Sequence, residues 1–167
     1  MKQPQELLIK SALDTWYSQV SSVDKLLETL TDAQLQKEVS PNKNRGIYLL
    51  GHLVAVHDRL LSLLNLGTRL HPELDEAFIT NPDNAAAIMP SLPDLRYYWK
   101  EVNDALAEHF NKLTPDEWFQ KHNSVSEEDF AKEPHRNRLA VLINRATHLS
   151  YHSGQLVLLK MASGKVL

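Results

Sequence analysis

Two histidines stand four residues apart near the end of the chain, in the segment "RATHLSYHSGQLVLLK" of residues 145–160. Positions four apart lie on one face of an α-helix, so the imidazoles of His148 and His152 could bind one metal ion. With eight histidines in the chain, chance alone would give roughly 0.4 such pairs, which makes the spacing a weak motif by itself. The alternative is that each imidazole hydrogen-bonds a neighbouring helix or water.

The residues around this histidine pair are mostly apolar. Leucines surround it at helical spacing: Leu142, Leu149, Leu156 and Leu159. At least one imidazole is therefore expected to be partly buried, and a buried polar group needs a partner. A metal ion and a hydrogen bond would each supply one, and the pattern alone does not choose between them.

A second histidine-containing segment offers a third metal ligand. Catalytic zinc or nickel sites rich in histidine usually keep three protein ligands and leave the remaining positions to water or substrate. His52 is the best candidate, because it lies in the apolar run "YLLGHLVAVHDRLL". His57 follows five residues later, about 140° further around a helix, and cannot share the face of His52. We therefore expect His57, Asp58 and Arg59 at the rim or surface of the fold.

The segments that carry these histidines have the periodicity of long amphipathic helices. Apolar residues recur at intervals of three and four, which is typical of a helix with one buried face. The sequence predicts four such helices, over residues 5–30, 47–65, 91–110 and 138–161. No segment shows the alternation of a β-rich fold. We predict an all-α four-helix bundle with short extra helices in its connections, a fold that builds cofactor sites between facing helices.

The predicted connections carry signals of their own. Thr31 in "LTDAQL" and Thr114 in "LTPDEW" each begin a short helical segment, and an "NR" pair follows each one, which suggests two helical hairpins of similar plan. Gly67 stands where a left-handed residue commonly caps a helix. Residues 68–92 are rich in turn-forming residues and predict a long irregular excursion. This excursion either covers a pocket or only connects two helices.

Length, charge and composition restrict the function. With 167 residues, 43% of them hydrophobic, the chain is expected to form one domain over residues 1–167. A net charge of −3 argues against a nucleic-acid partner or an anionic membrane. Without cysteine, any metal must be bound by His, Asp or Glu. No segment resembles a signal peptide or a membrane span, so we expect a soluble, cytoplasmic protein.

Three segments together resemble the DinB/YfiT-like superfamily of metal-binding four-helix bundles. They are "GHLVAVHDRLL", "HLSYHSGQL" and "LTPDEW", and the resemblance extends over nearly the whole chain in the order of its elements. His148 begins a close match to the H-x-x-x-H-x-G-Q pattern of the family, although Ser153 stands where the family usually has arginine. The resemblance implies that His52, His148 and His152 bind one divalent metal ion, most often zinc or nickel.

Two polar residues on the last helix could orient the metal-binding imidazoles. Gln155 follows His152 and matches the glutamine of the family pattern, and Asn144 lies one turn before His148. Residues that hydrogen-bond the outer nitrogen of a histidine ligand fix its orientation. A purely structural role is the alternative for both.

A metal ion bound by three imidazoles could activate water for hydrolysis or a small thiol for transfer. The resemblance favours a thiol S-transferase or isomerase that uses a low-molecular-weight thiol such as bacillithiol or mycothiol. The alternative class is a metal-stabilised or small-ligand-binding bundle without turnover. The resemblance also implies a homodimer, for which the sequence offers four aromatic residues: Trp16, Tyr97, Tyr98 and Trp99.

Overall fold

Four long helices and four short helical segments make up the fold, in a computed structural model that describes residues 4–86 and 88–161. The long helices are α1 (Pro4–Thr29), α3 (Gly46–Leu63), α4 (Leu92–Phe110) and α7 (Arg138–Met161). The short elements are α2 (Asp32–Leu35), a π-helix (Glu76–Thr80), α5 (Pro115–Trp118) and α6 (Glu127–Lys132). The described residues form no β-sheet, and the predicted all-α bundle is confirmed. None of their helices is both long and apolar enough to cross a lipid bilayer.

Helix α3 lies at the centre of the bundle. It contacts α4, α7 and the π-helix, and fourteen of its eighteen residues are buried. His57 and Asp58 are fully buried, whereas Arg59 is exposed. The prediction that His57 and Asp58 lie at the rim or surface is therefore wrong. It assumed that α3 buries one stripe, but a helix packed between several elements buries more than one face.

Helices α3 and α7 run antiparallel. The end of α3 lies beside the segment that leads to α7, because the Asn123 amide donates to the Leu63 carbonyl at 2.9 Å. At the opposite end, Gly46 at the start of α3 packs against Leu159 of α7. This arrangement brings the middle of α3 opposite the middle of α7, where the predicted metal ligands are located.

The two similar sequence segments form similar connections. Thr31 and Thr114 each close a capping box at the start of a four-residue helix, α2 and α5 respectively. A single antiparallel bridge then precedes each following long helix, and the bridged pairs are Glu38 with Arg45 and Lys121 with Asn137. The repeated "LT" and "NR" pairs therefore correspond to the same local structure, a capped short helix and a bridge, before both α3 and α7.

Asn65, not Gly67, is the left-handed residue that terminates α3. Its φ angle is 55°, and Gly67 lies outside the left-handed region. The Leu66 amide donates to the Leu61 carbonyl at 2.8 Å and the Asn65 amide to the Ser62 carbonyl at 3.2 Å. These are the two hydrogen bonds of a Schellman cap. The predicted role of Gly67 is wrong because asparagine tolerates the same conformation and ends the helix earlier.

The predicted excursion of residues 68–92 folds against α3. The Phe78 ring, fully buried, packs on Gly51. The Tyr48 hydroxyl donates to the Asn81 carbonyl at 2.8 Å. Asp83 accepts from the Arg45 guanidinium at 2.7 Å and so fixes the second half of the excursion to the start of α3.

Substitution of Gly51 by alanine is expected to destabilise the fold by about 1–3 kcal/mol, the usual cost of overpacking a core. A Cβ atom there would lie 2.2 Å from the Phe78 ring. Gly154→Ala is the matched control, since a Cβ on that residue meets nothing within 4 Å. The control should stabilise its helix by about 0.5–1 kcal/mol. Urea unfolding measures both variants, and equal effects would contradict the close contact with Phe78.

The four aromatic residues offered for self-association lie in different environments. Trp16 and Trp99 are buried in the core, and Tyr98 is half-buried with its ring 3.9 Å from that of His71. Tyr97 is exposed. The two tryptophans therefore stabilise the chain itself.

Candidate metal centre

The structure brings His52 of α3 together with His148 and His152 of α7. The Nε2 atom of His148 lies 3.2 Å from Nε2 of His52 and 3.1 Å from Nε2 of His152. One ligand atom from each ring lies within 4.8 Å of the other two, and all three residues are half-buried. The three residues chosen from the sequence thus meet at one point between two antiparallel helices.

The spacing of these nitrogen atoms fits a divalent ion. Two nitrogens bound at about 2.0–2.1 Å stand about 3.3 Å apart at a tetrahedral angle and about 2.9 Å apart at a right angle. The distances of 3.1 and 3.2 Å lie between these values. Little movement of the side chains would be needed to bind zinc or nickel.

Two of the three rings are oriented through their outer nitrogen. Nδ1 of His52 lies 2.8 Å from the Phe78 carbonyl oxygen, and Nδ1 of His152 lies 2.7 Å from Oε1 of Gln155. Because both oxygens only accept, each Nδ1 carries the proton and each Nε2 is left with a lone pair. This is the tautomer that binds a metal through Nε2.

The outer nitrogen of His148 is in a different state. Its Nδ1 is buried and has no hydrogen-bond partner among the described residues. Asn144, one turn earlier on α7, is exposed and does not bond this ring. Of the two residues predicted to orient imidazoles, Gln155 contacts its histidine and Asn144 does not. The position of the His148 ring is set by packing and by the two imidazoles that face its Nε2.

Burial lowers the pKa of all three imidazoles. For His148, burial and the neighbouring rings of His152 and His52 lower the pKa to about 4. Burial also lowers the pKa of His52 and of His152, although the hydrogen bonds of Phe78 and Gln155 act in the opposite direction. The rings are therefore neutral near pH 7, which is the form that binds a metal.

Gln155→Ala is expected to weaken zinc binding by about 10–100-fold, the usual effect of removing a residue that orients a histidine ligand. Asn144→Ala is the matched control from the same helix, and it should bind zinc as the wild type does. Competition with a chromophoric chelator measures both affinities. Equal losses in the two variants would show that the contact between Gln155 and His152 does not orient the ligand.

His57 projects from another side of α3 into the aromatic core. Its ring centroid lies 4.6 Å from that of Trp16 and 5.0 Å from that of Trp99. Nδ1 lies 2.9 Å from Oδ1 of Asn103, and Nε2 is buried without a partner. Burial lowers the pKa of His57 to about 3. His57 is a neutral core residue, and it is not part of the histidine cluster.

The buried His57 should make stability depend on pH. Its pKa is about 3 in the folded chain and 6.5 for an ordinary imidazole, so between these values the unfolded state binds the additional proton. The contribution of the neutral His57 imidazole to the free energy of unfolding is therefore complete above pH 6.5. It is lost as the pH falls from there towards about 3. His57→Phe is expected to reduce this slope by up to about 1.4 kcal/mol per pH unit.

Urea unfolding at several pH values between about 7 and 4.5 measures that slope. Replacement of the exposed His135 by phenylalanine serves as the control and should leave the slope unchanged. A wild-type slope in His57→Phe would contradict a neutral, buried imidazole.

Asp58 anchors the beginning of the excursion to α3. Its fully buried carboxylate accepts from the Arg69 guanidinium at 2.9 Å. It also accepts from the backbone amides of Leu70 at 2.7 Å and His71 at 3.2 Å. These hydrogen bonds compensate for the loss of water around a buried charge.

A cavity of about 550 Å³ begins one turn from the histidine cluster, where Val56 and Arg145 line it. Asp75 accepts from Arg69 at 2.7 Å and from Arg59 at 2.8 Å on the same wall. Burial lowers the pKa of the half-buried Arg145 guanidinium, and the charge of Arg59 lowers it further. The cavity therefore has a charged wall beside the histidine cluster.

Two features of this region were not found from the sequence. The Phe78 carbonyl that orients His52 is a backbone group in an irregular segment, so no side-chain pattern indicates it. Arg145 precedes His148 by three residues, and that spacing places it on the face of α7 that carries both histidines. The same spacing argument that selected the histidines could have selected Arg145.

A sequence model of the DinB superfamily matches residues 16–156, a range that includes all three clustered histidines. The chain belongs to the DinB superfamily. The resemblance found in its histidine motifs is thereby confirmed. The fold of this DinB-superfamily chain is similar to that of a conserved protein from Enterococcus faecalis, with a TM-score of 0.65 and 17% identity over 99% of this chain and 100% of the other. No curated protein matches the chain.

Proposed function

We propose that this DinB-superfamily chain is a metal-dependent enzyme, in which His52, His148 and His152 bind one zinc or nickel ion that activates a small thiol for transfer. The observation that carries the proposal is the convergence of three imidazole nitrogens without a further ligand. The cluster in the described residues contains no carboxylate and no fourth histidine. Structural zinc sites usually close with four protein ligands, whereas catalytic sites leave a position for water or substrate.

Two other polar residues of α3 make contacts elsewhere and do not close the site. Asp58 accepts three hydrogen bonds, one from Arg69 and two from backbone amides. His57 is enclosed by Trp16 and Trp99 in the aromatic core. Both observations favour an open site over a purely structural one.

The ion would supply Lewis acidity, which lowers the pKa of a bound water molecule or thiol, so that either can lose its proton near neutral pH. Phe78 and Gln155 hold the rings of His52 and His152 with their lone pairs directed to one point, so binding requires little reorganisation. The thiol must come from a cosubstrate, because the chain has no cysteine. The resemblance of the histidine motifs to thiol transferases favours a cytoplasmic low-molecular-weight thiol over water as the activated group.

A displacement assay tests this proposal. In the reaction of a small thiol with chlorodinitrobenzene, a carbon–sulfur bond forms, the carbon–chlorine bond breaks, and the thiol proton passes to the buffer. The zinc-loaded chain is expected to accelerate the reaction, and the metal-stripped chain and His152→Ala are not. Hydrolysis of a nitrophenyl ester, followed in parallel, tests water as the activated group. Stoichiometric zinc with no acceleration of either reaction would contradict the enzyme and support a metal-stabilised bundle without turnover.

A further inference from the structure

Three arginines and one carboxylate, Asp75, line the cavity beside the histidine cluster, and the buried Asp58 pairs with one of these arginines from outside the lining. Asp58 and Asp75 accept ion pairs from Arg59 and Arg69. Two negative charges thus offset two positive charges. Arg145 lines the same cavity and forms no ion pair or side-chain hydrogen bond with any described residue. Its charge is uncompensated within the part of the chain that the structure describes.

Arg145 is also close to the histidine cluster. It lies three residues before His148 and seven before His152, so all three side chains project from one face of α7. Its charge contributes to the lowered pKa of His52 and of His148. Three residues, about one helical turn, separate Arg145 from His148, so a small molecule that spans one turn could contact both.

A half-buried, unpaired guanidinium is costly, because a charge removed from water needs a compensating partner. Arg145 has five N–H donors in a planar fork, and Arg59 adds repulsion from the same wall. The group that best satisfies such a fork is an oxyanion, which accepts two parallel hydrogen bonds. The cavity volume of about 550 Å³ is that of a small-molecule site.

We propose that Arg145 binds a carboxylate or phosphate group of the substrate whose reacting atom lies at His52, His148 and His152. This inference rests on the proposed function and specifies its substrate as acidic. Arg145 selects a negatively charged substrate, and the three histidines bind the metal ion that activates its reacting atom. Ser124, which lines the same cavity, adds a hydroxyl that can donate to the same oxyanion.

Three thiols that differ in their far end test this selection: mercaptopropionate, mercaptoethyl phosphate and the neutral mercaptopropanol. Calorimetry gives their affinities for the zinc-loaded full chain. The measured quantity is the ratio of the affinity for an acidic thiol to the affinity for mercaptopropanol. For one or both acidic thiols, this ratio is expected to be about tenfold or more larger in the wild type than in Arg145→Gln. A larger ratio for mercaptopropionate indicates that Arg145 binds a carboxylate, and a larger ratio for mercaptoethyl phosphate indicates that it binds a phosphate. Arg136→Gln is the matched control, because Arg136 pairs with Glu133 and does not line the cavity.

The possible outcomes separate this inference from the proposed function. Equal preferences in the wild type and Arg145→Gln would overturn the role of Arg145 and leave the thiol chemistry intact. Failure of every thiol to bind would count against the proposed function. In that case, NMR titration of the metal-stripped full chain with sulfate still tests whether Arg145 binds an oxyanion. Saturable binding that weakens at least about tenfold in Arg145→Gln supports an oxyanion site, and equal binding in both chains overturns it.

Discussion

Replacement of His148 by alanine is expected to lower the zinc affinity by about a thousandfold. Binding free energies of about 10–16 kcal/mol are typical of tightly held zinc, and one of three ligands supplies roughly a third of such a value. His148 is the central ligand, since its Nε2 lies within 3.2 Å of both other Nε2 atoms. Competition with a chromophoric chelator measures the loss.

The same change removes the stabilisation that zinc gives to the fold. An ion that binds only the folded chain raises its stability by mass action, so zinc should raise the melting temperature of the wild type but not of His148→Ala. Substitution of the exposed His135 by alanine is the control and should preserve both effects. Wild-type affinity in His148→Ala would place the ion at a different site.

Replacement of Asp58 by alanine is expected to lower the free energy of unfolding by about 3–5 kcal/mol, the usual cost of breaking a buried ion pair from one side. The change would remove the acceptor of the Leu70 and His71 amides and one partner of Arg69. Both the anchor of the excursion and the charge balance of the cavity would be lost.

Asp104→Ala is the matched control for this experiment. Its carboxylate pairs with Lys100 on an exposed helix surface, and such solvent-screened pairs contribute little to stability. Urea unfolding compares the two variants with the wild type. If both variants lost the same small amount, the Asp58 network would not be a stabilising element.

The parts of the fold that depend on local sequence could be predicted. The fourth long helix was predicted over residues 138–161 and is observed as Arg138–Met161. Another long helix was predicted over residues 91–110, and Ser91 is the N-cap of α4, where its side chain accepts a hydrogen bond from the Asp94 amide. Periodicity and capping are properties of neighbouring residues, so the sequence carries them directly.

The errors concern what surrounds each helix. His57 and Asp58 were placed near the surface because a single helix in isolation has one apolar stripe. In the bundle, α4 and the excursion cover the remaining faces of α3. Asn65 was overlooked in favour of Gly67 because the cap depends on where α3 stops, and that is decided by packing.

The three clustered histidines of the candidate site could be predicted from the sequence, but the groups that orient their rings could not. The spacing of His148 and His152 on one helix, with His52 in an apolar run, selects the three imidazoles. Their orientation depends on the Phe78 carbonyl, which reaches His52 from 26 residues away in an irregular segment. No periodic pattern reports such a contact between a backbone oxygen and a distant side chain.

Metal content of the wild-type chain, purified without an affinity tag or added chelator, tests the three-histidine centre most directly. About one equivalent of zinc or nickel per chain is expected, and His52→Ala should lose it. A wild-type chain that takes up no divalent metal, even after reconstitution, would contradict the metal centre. His52, His148 and His152 would then be neutral polar residues that hydrogen-bond one another between α3 and α7.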